Sequence, residues 1–210
     1  MTDDLGGLLE LVHPADEPDE HDVQLVEATR IGERRLRLVL DARRTYDIRA
    51  PGSRWEIDCD GVAESRLELG AWTELSVDLD HALAWDCQYR REALYLAGAV
   101  ERPAALAADL LEHDERLLAP GLTRRWLNAV VPLRSLIAGG HGLVACGPLP
   151  AIDLYQRLMS SHGARCARLR EPDPGLPREI SEAVAAGDGL RTLLIGDSYV
   201  VAARLEARRT

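Results

Sequence analysis

Residues 23–100 alternate between apolar and polar side chains, and this period of two predicts β-strands. The alternation is clearest over residues 36–40, 55–59 and 75–79, where every second side chain is apolar. Turn residues such as Gly61 separate these short segments. The pattern is typical of an antiparallel sheet with one apolar face and one polar face.

From residue 101 onward the apolar residues recur at intervals of three and four, which predicts helices. In chain order the predicted elements are a helix (102–118), a helix divided by Pro132 (123–138), a loop (139–142), a short strand (143–146), a helix between Pro148 and Gly163, a strand (165–170), a short helix (178–186) and two strands (190–195 and 199–205). The predicted fold class is therefore α+β: an N-terminal antiparallel β-sheet followed by helices and a small αβαββ unit.

We divide the chain into three regions by composition. Residues 1–22 form an acidic arm that we expect to be partly disordered. Residues 23–100 form the antiparallel β region, and residues 101–210 form a helical and α/β region. Because no long Pro-, Gly- or Ser-rich linker separates the last two regions, we expect them to pack together.

The charge of the chain is concentrated at its beginning. The formal net charge is −10, from 35 acidic residues and 25 arginines with no lysine. The first 22 residues hold eight of the acids and no arginine, so they account for −8 of the total. The acidity therefore belongs to the arm, which we expect either to stay solvated or to dock on an Arg-rich surface.

Composition favours a cytoplasmic globular protein. Of the 210 residues, 46% are hydrophobic and 29% are charged, which is typical of a packed domain. The longest mainly apolar stretch, residues 143–149, is too short to span a membrane, and acids occupy the N-terminus where a signal peptide carries positive charge. The four cysteines are widely and irregularly spaced, so we expect reduced thiols, no metal site and no cofactor.

A glycine-rich segment is the first candidate for ligand binding. Its candidate residues share a position just before a predicted helix, whose N-terminus would attract an anion. They are Gly140, His141, Gly142, Cys146 and Gly147. His and Cys together could supply a base and a thiol, although the spacing matches neither phosphate-loop nor dinucleotide motifs. The alternative interpretation is a glycine turn before a buried strand.

An arginine cluster is the second candidate, this time for partner binding. Eight arginines fall between residues 30 and 54, and the candidates on the polar face of the predicted sheet are Arg35, Arg37, Arg43 and Arg44. Residues 23–100 carry 14 acids against 11 arginines, so nucleic-acid binding is not favoured. The alternative interpretation is a solvated face of cross-strand ion pairs.

Gly196, Asp197 and Ser198 follow an apolar strand and predict a hairpin turn. The same triplet is similar to the nucleophile block of SGNH-type esterases, but no histidine follows Ser198 in this sequence. No motif is specific enough to name a reaction. We therefore expect a non-enzymatic binding or protein-interaction protein. The alternative is a small-ligand-binding protein or enzyme with a pocket near residues 139–148.

Overall fold

The computed structural model of the chain describes residues 5–12, 21–44, 52–70, 72–117, 126–172, 177–186 and 189–210, without the side chains of Val12, His21, Arg44, Trp72, Glu179 and Ala183. The helices are α1 (Leu5–Val12), α2 (Ala82–Gln88), α3 (Pro103–Leu117), α4 (Leu133–Gly139), α5 (Leu149–Ser161) and α6 (Arg178–Ala185). The strands are β1 (His21–Gly32), β2 (Arg35–Arg44), β3 (Ser53–Asp60), β4 (Glu64–Arg66), β5 (Trp72–Thr73), β6 (Leu75–Asp78), β7 (Arg91–Ala97), β8 (His141–Pro148), β9 (Cys166–Arg170), β10 (Arg191–Ile195), β11 (Ser198–Ala202) and β12 (Arg204–Arg209). The strand pairs are antiparallel, and the predicted α+β class is confirmed.

The chain forms two compact units that differ from the predicted regions 23–100 and 101–210. Unit 1 comprises residues 1–84 and 176–210, and unit 2 comprises residues 85–175. The difference arises because β7 pairs with β8 and β9 in unit 2, whereas β10, β11 and β12 pair with strands of unit 1. The predicted packing of the later region on the N-terminal sheet stays a prediction.

Unit 1 contains two antiparallel sheets that share one apolar core. Their strand orders are β12-β3-β2-β1-β5 and β4-β11-β10-β6. The β2–β3 register sets Leu38 opposite Ile57 and Leu40 opposite Trp55, and these four side chains are buried. Leu193 joins the same core from the second sheet. The face predicted to be apolar from the period-two pattern is thus the face that is buried.

The predicted acidic arm contributes a helix to this core. Helix α1 buries Leu5 and Leu8 among the apolar residues of unit 1, so this part of the arm is packed. The predicted disorder elsewhere in the arm falls on residues 1–4 and 13–20, which lie outside the described residues.

Unit 2 is built on the three-stranded sheet β8-β7-β9, and α5 packs against all three strands. Helix α3 agrees with the helix predicted over 102–118. Of the second predicted helix, 123–138, residues 123–125 lie outside the described residues, and the helical part, α4, begins only after Pro132. The Asn128 side chain instead accepts hydrogen bonds from the backbone N–H groups of Val130 and Val131 and orders a turn there.

Strand β8 is longer than the predicted strand and includes two residues of the predicted glycine loop. His141 pairs with Ala97 and Gly142 with Leu96, so β7 supplies backbone partners that do not depend on side-chain pattern. Helix α2 has no counterpart among the predicted elements, and in unit 1 β12 forms a separate strand beside β3.

Candidate functional site

The structure does not bring His141 and Cys146 together as a catalytic pair. They lie five residues apart on β8, a separation of roughly 15 Å along an extended strand. His141 is exposed, and its Nδ1 lies 2.8 Å from the carbonyl oxygen of Gly139. Gly140 is the C-cap of α4 and has a φ of 74°. This left-handed backbone conformation favours glycine and explains why glycine occupies that position.

Cys146 lies in a polar network within unit 2. Its thiol donates a hydrogen bond to Glu171 at 3.0 Å. Arg91 pairs with Asp86 and also with Glu171, its Nε lying 3.3 Å from Oε2. The indole N–H of Trp126 donates to Asp86 at 2.8 Å. We call these five residues the Arg91 network.

The electrostatics of the Arg91 network keep the thiol protonated. Burial raises the pKa of Cys146, and its hydrogen bond to Glu171 raises it further, against the opposing effect of Arg91. The pKa of Glu171 is lowered, first by the hydrogen bond from Cys146 and also by Arg91. A protonated thiol that donates to a carboxylate is a poor nucleophile, so these contacts support a structural role for Cys146.

Gly147 is glycine because an indole ring lies against its backbone. A Cβ added there would lie 2.7 Å from both Cγ and Cδ1 of Trp126. Trp126 in turn stacks on Trp85, with ring centroids 5.8 Å apart. The predicted ligand-binding glycine therefore has a packing explanation.

The candidate arginines of unit 1 lie in a ladder of cross-strand ion pairs. Arg35 Nε lies 2.5 Å from Asp60, and Arg37 Nε lies 2.7 Å from Asp58. Arg208 on β12 reaches the same Asp58 at 3.2 Å. These contacts agree with the alternative interpretation of the cluster as a self-neutralised polar face.

The other two arginines of that cluster add little to a binding surface. The half-buried Arg43 lies opposite Asp22 in the β1–β2 register. The Arg44 side chain lies outside the described residues. Partner binding by these four arginines stays a prediction.

The Gly196-Asp197 turn joins β10 and β11 as predicted. Ser198 is buried, and its hydroxyl accepts a hydrogen bond from the backbone N–H of Glu68 at 2.7 Å. This contact gives the hydroxyl a structural role at the turn.

The outer edge of β9 is a surface that sequence reasoning missed. Among the strands that the structure describes, β9 pairs only with β7. The backbone bonds Ala97 N–H to Arg165 O and Glu171 N–H to Arg91 O fix which residues face β7. Because alternate residues of an antiparallel strand bond to the same neighbour, the backbone groups of Cys166, Arg168 and Arg170 point away from β7.

A shallow, open groove lies between Arg168 of β9 and α5. Its volume is about 490 Å³, and its lining residues are Asp153, Gln156, Arg157, Ser160 and Arg168. Arg168 lies 2.5 Å from Asp153 and 3.3 Å from Glu92, which ties β9 to α5 and to β7. On the opposite face of the strand, Leu169 is 59% exposed. The sequence predicts a strand over 165–170, but its place at the sheet edge depends on pairing that no local pattern shows.

No group of three or more His, Cys, Asp or Glu side chains suited to a metal ion occurs within the described ranges. In those same ranges, every helix is too short or too polar to cross a membrane. A scan of protein-family models, a search of curated proteins and a search of solved structures each returned no match to this chain.

Proposed function

We propose that the chain is a non-enzymatic protein-interaction protein, and that its partner adds an extended strand to the outer edge of β9. The observation that carries this proposal is the outer edge of β9, which pairs with no strand of the described residues and lies beside the α5 groove. Strand addition gains affinity from main-chain hydrogen bonds and gains specificity from the side chains that flank the edge.

The position of β9 suits an incoming strand. Ala167, Leu169 and Arg170 are exposed, so three of its five residues are accessible. The backbone N–H and C=O groups of the outward residues would be satisfied by a partner strand as they are by any sheet neighbour. Unpaired edges are where proteins add a further chain, unless they are covered or blocked.

The state of the other candidate groups supports binding over catalysis. Cys146 is held protonated by burial and by Glu171. His141 is too distant along β8 to act as its base. Arg35 and Arg37 are already paired with carboxylates of β3.

Arg170→Pro tests strand addition directly. Proline at residue 170 removes an N–H that points away from β7, while Leu169 and Glu171 keep their hydrogen bonds to β7. We expect unchanged thermal unfolding and a loss of partner affinity of about ten-fold or more, because a donor is lost and the ring obstructs the incoming strand.

Arg170→Ala is the matched control, since it removes the same side chain and keeps the N–H. Both variants and the wild type are used as bait in a lysate of the native host, and each retained protein is then titrated in purified form. A partner that Arg170→Pro binds more weakly than Arg170→Ala does supports the proposal. Equal affinity for the two variants refutes it.

A further inference from the structure

We propose that the strand received by β9 belongs to another protein and alternates acidic with apolar side chains, its acids facing α5. This inference rests on the proposed function and adds the chemistry of the partner. It is drawn from the charges and exposed side chains on the two faces of β9.

Two arginines on the α5 side of the edge have no carboxylate partner among the described residues. Arg168 contacts Asp153 on α5, so the even-numbered residues of β9 point to the α5 side. Arg170 is therefore on this side, and Arg157 of α5 lines the groove. Both are exposed, and neither forms an ion pair with any residue within the described ranges. Acidic side chains of an added strand would lie beside them.

The opposite face of β9 is apolar. Leu169 and Ala167 are both exposed there, and they are two residues apart as same-face neighbours must be. Side chains directly across a strand pair contact one another, so apolar residues of the partner would cover these two. Alternation of acidic and apolar residues satisfies both faces with one extended strand.

The arginines of β9 also disfavour a second copy of this chain as the occupant. Antiparallel self-pairing centred on residue 168 would set Arg168 opposite the partner copy's Arg168. A shift by one pair toward residue 170 would set Arg168 opposite Arg170. Like charges directly opposite each other destabilise a strand pair. These two registers of self-pairing are therefore disfavoured, whereas an acidic strand suits the charges of the edge.

The test uses three fluorescent heptapeptides in which Val alternates with Glu, with Lys or with Gln. Binding to the full chain is measured by anisotropy at low and at physiological salt. We expect the Glu peptide to bind at least about ten-fold more tightly than the Lys peptide, with an affinity that falls as salt rises. The double variant Arg157→Gln, Arg170→Gln should abolish that preference. A preference that survives in this variant, or no preference in the wild type, overturns the inference.

Comparison of Arg170→Pro with Arg170→Ala separates failure of the inference from failure of the proposed function. If the wild type binds the three peptides equally and Arg170→Pro binds each of them more weakly than Arg170→Ala does, strand addition stands and the acidic preference fails. If Arg170→Pro binds the Glu peptide as tightly as Arg170→Ala does, strand addition itself fails.

Two further measurements test the alternative occupants. A homodimer, detected by sedimentation velocity, that dissociates in Arg170→Pro would assign the edge to a second copy and overturn the inference. The arm variant with Asp16, Glu17, Asp19 and Glu20 changed to their amides tests the chain's own acidic segment. Unchanged affinity for the Glu peptide supports an external partner, and tighter binding by the arm variant contradicts it.

Discussion

Gly147→Ala tests the packing that holds Trp126 against β8. The added methyl group would lie 2.7 Å from two ring carbons of Trp126, closer than carbon atoms approach without repulsion. The indole ring cannot move away freely, because it stacks on Trp85. The backbone of Trp126 is also held in place, since its carbonyl oxygen accepts a hydrogen bond from Cys146 N–H at 2.9 Å. Displacement would also strain the indole hydrogen bond to Asp86.

The size of the effect follows from two opposing contributions. Overpacking of a close-packed site typically costs about 1–3 kcal/mol. Replacing glycine by alanine also lowers the conformational entropy of the unfolded chain, which stabilises the folded state by about 0.4–1 kcal/mol. We therefore expect Gly147→Ala to lower the free energy of unfolding of unit 2 by about 1–2 kcal/mol.

Urea unfolding monitored by tryptophan fluorescence measures this change. Gly139→Ala is the control, since an added Cβ there meets no atom within 4 Å, and we expect it to be neutral or slightly stabilising. In a Trp126→Ala background the penalty of Gly147→Ala should shrink, because the two ring contacts are gone. The packing argument would be refuted if Gly147→Ala had the same free energy of unfolding as the wild type. It would also be refuted if Gly147→Ala lowered that free energy by as much in the Trp126→Ala variant as in the wild type.

Two further predictions concern unit 1. Thr192→Val should stabilise the fold by about 1 kcal/mol in thermal and urea unfolding, because the buried Thr192 hydroxyl has no hydrogen-bond partner within the described residues. Thr29→Val, whose hydroxyl is bonded to Glu27, should bring no such gain, and equal effects would contradict the reasoning. Arg37 holds the pKa of Asp58 below its ordinary value, so this stabilisation is present above pH about 4 and is lost as pH falls through the folded pKa. Asp58→Asn should therefore be less stable at pH 7 and lose less stability on acidification, and urea midpoints that fall in parallel with those of the wild type would refute this.

The pattern of side chains predicts the elements of unit 1 better than those of unit 2. In β2 and β3 a period of two assigns each side chain to a face, and burial of Leu38 and Ile57 follows directly. In β8 the glycines carry no such pattern, and the strand forms because β7 supplies backbone partners. Residues 126–132 of the helix predicted over 123–138 are not helical, because Asn128 competes locally for backbone N–H groups.

Among the candidate sites, contacts between strands with a clear sequence pattern could be predicted, whereas contacts between residues far apart in the sequence could not. Ion pairing of Arg35 and Arg37 could be anticipated, since acids and arginines alternate on neighbouring strands. The Arg91 network could not, because Arg91 and Glu171 lie 80 residues apart in sequence. The edge position of β9 likewise depends on a pairing with β7 from a distant part of the chain.

The interrupted path of the chain through unit 1 has a consequence for folding during synthesis. Unit 2 is continuous over residues 85–175, whereas unit 1 needs residues from both sides of it. The β3–β12 and β6–β10 strand pairs can form only after residues 176–210 have been synthesised and have left the ribosome. Unit 2 can thus fold first on the nascent chain, while the apolar face of β2 and β3 still lacks the second sheet.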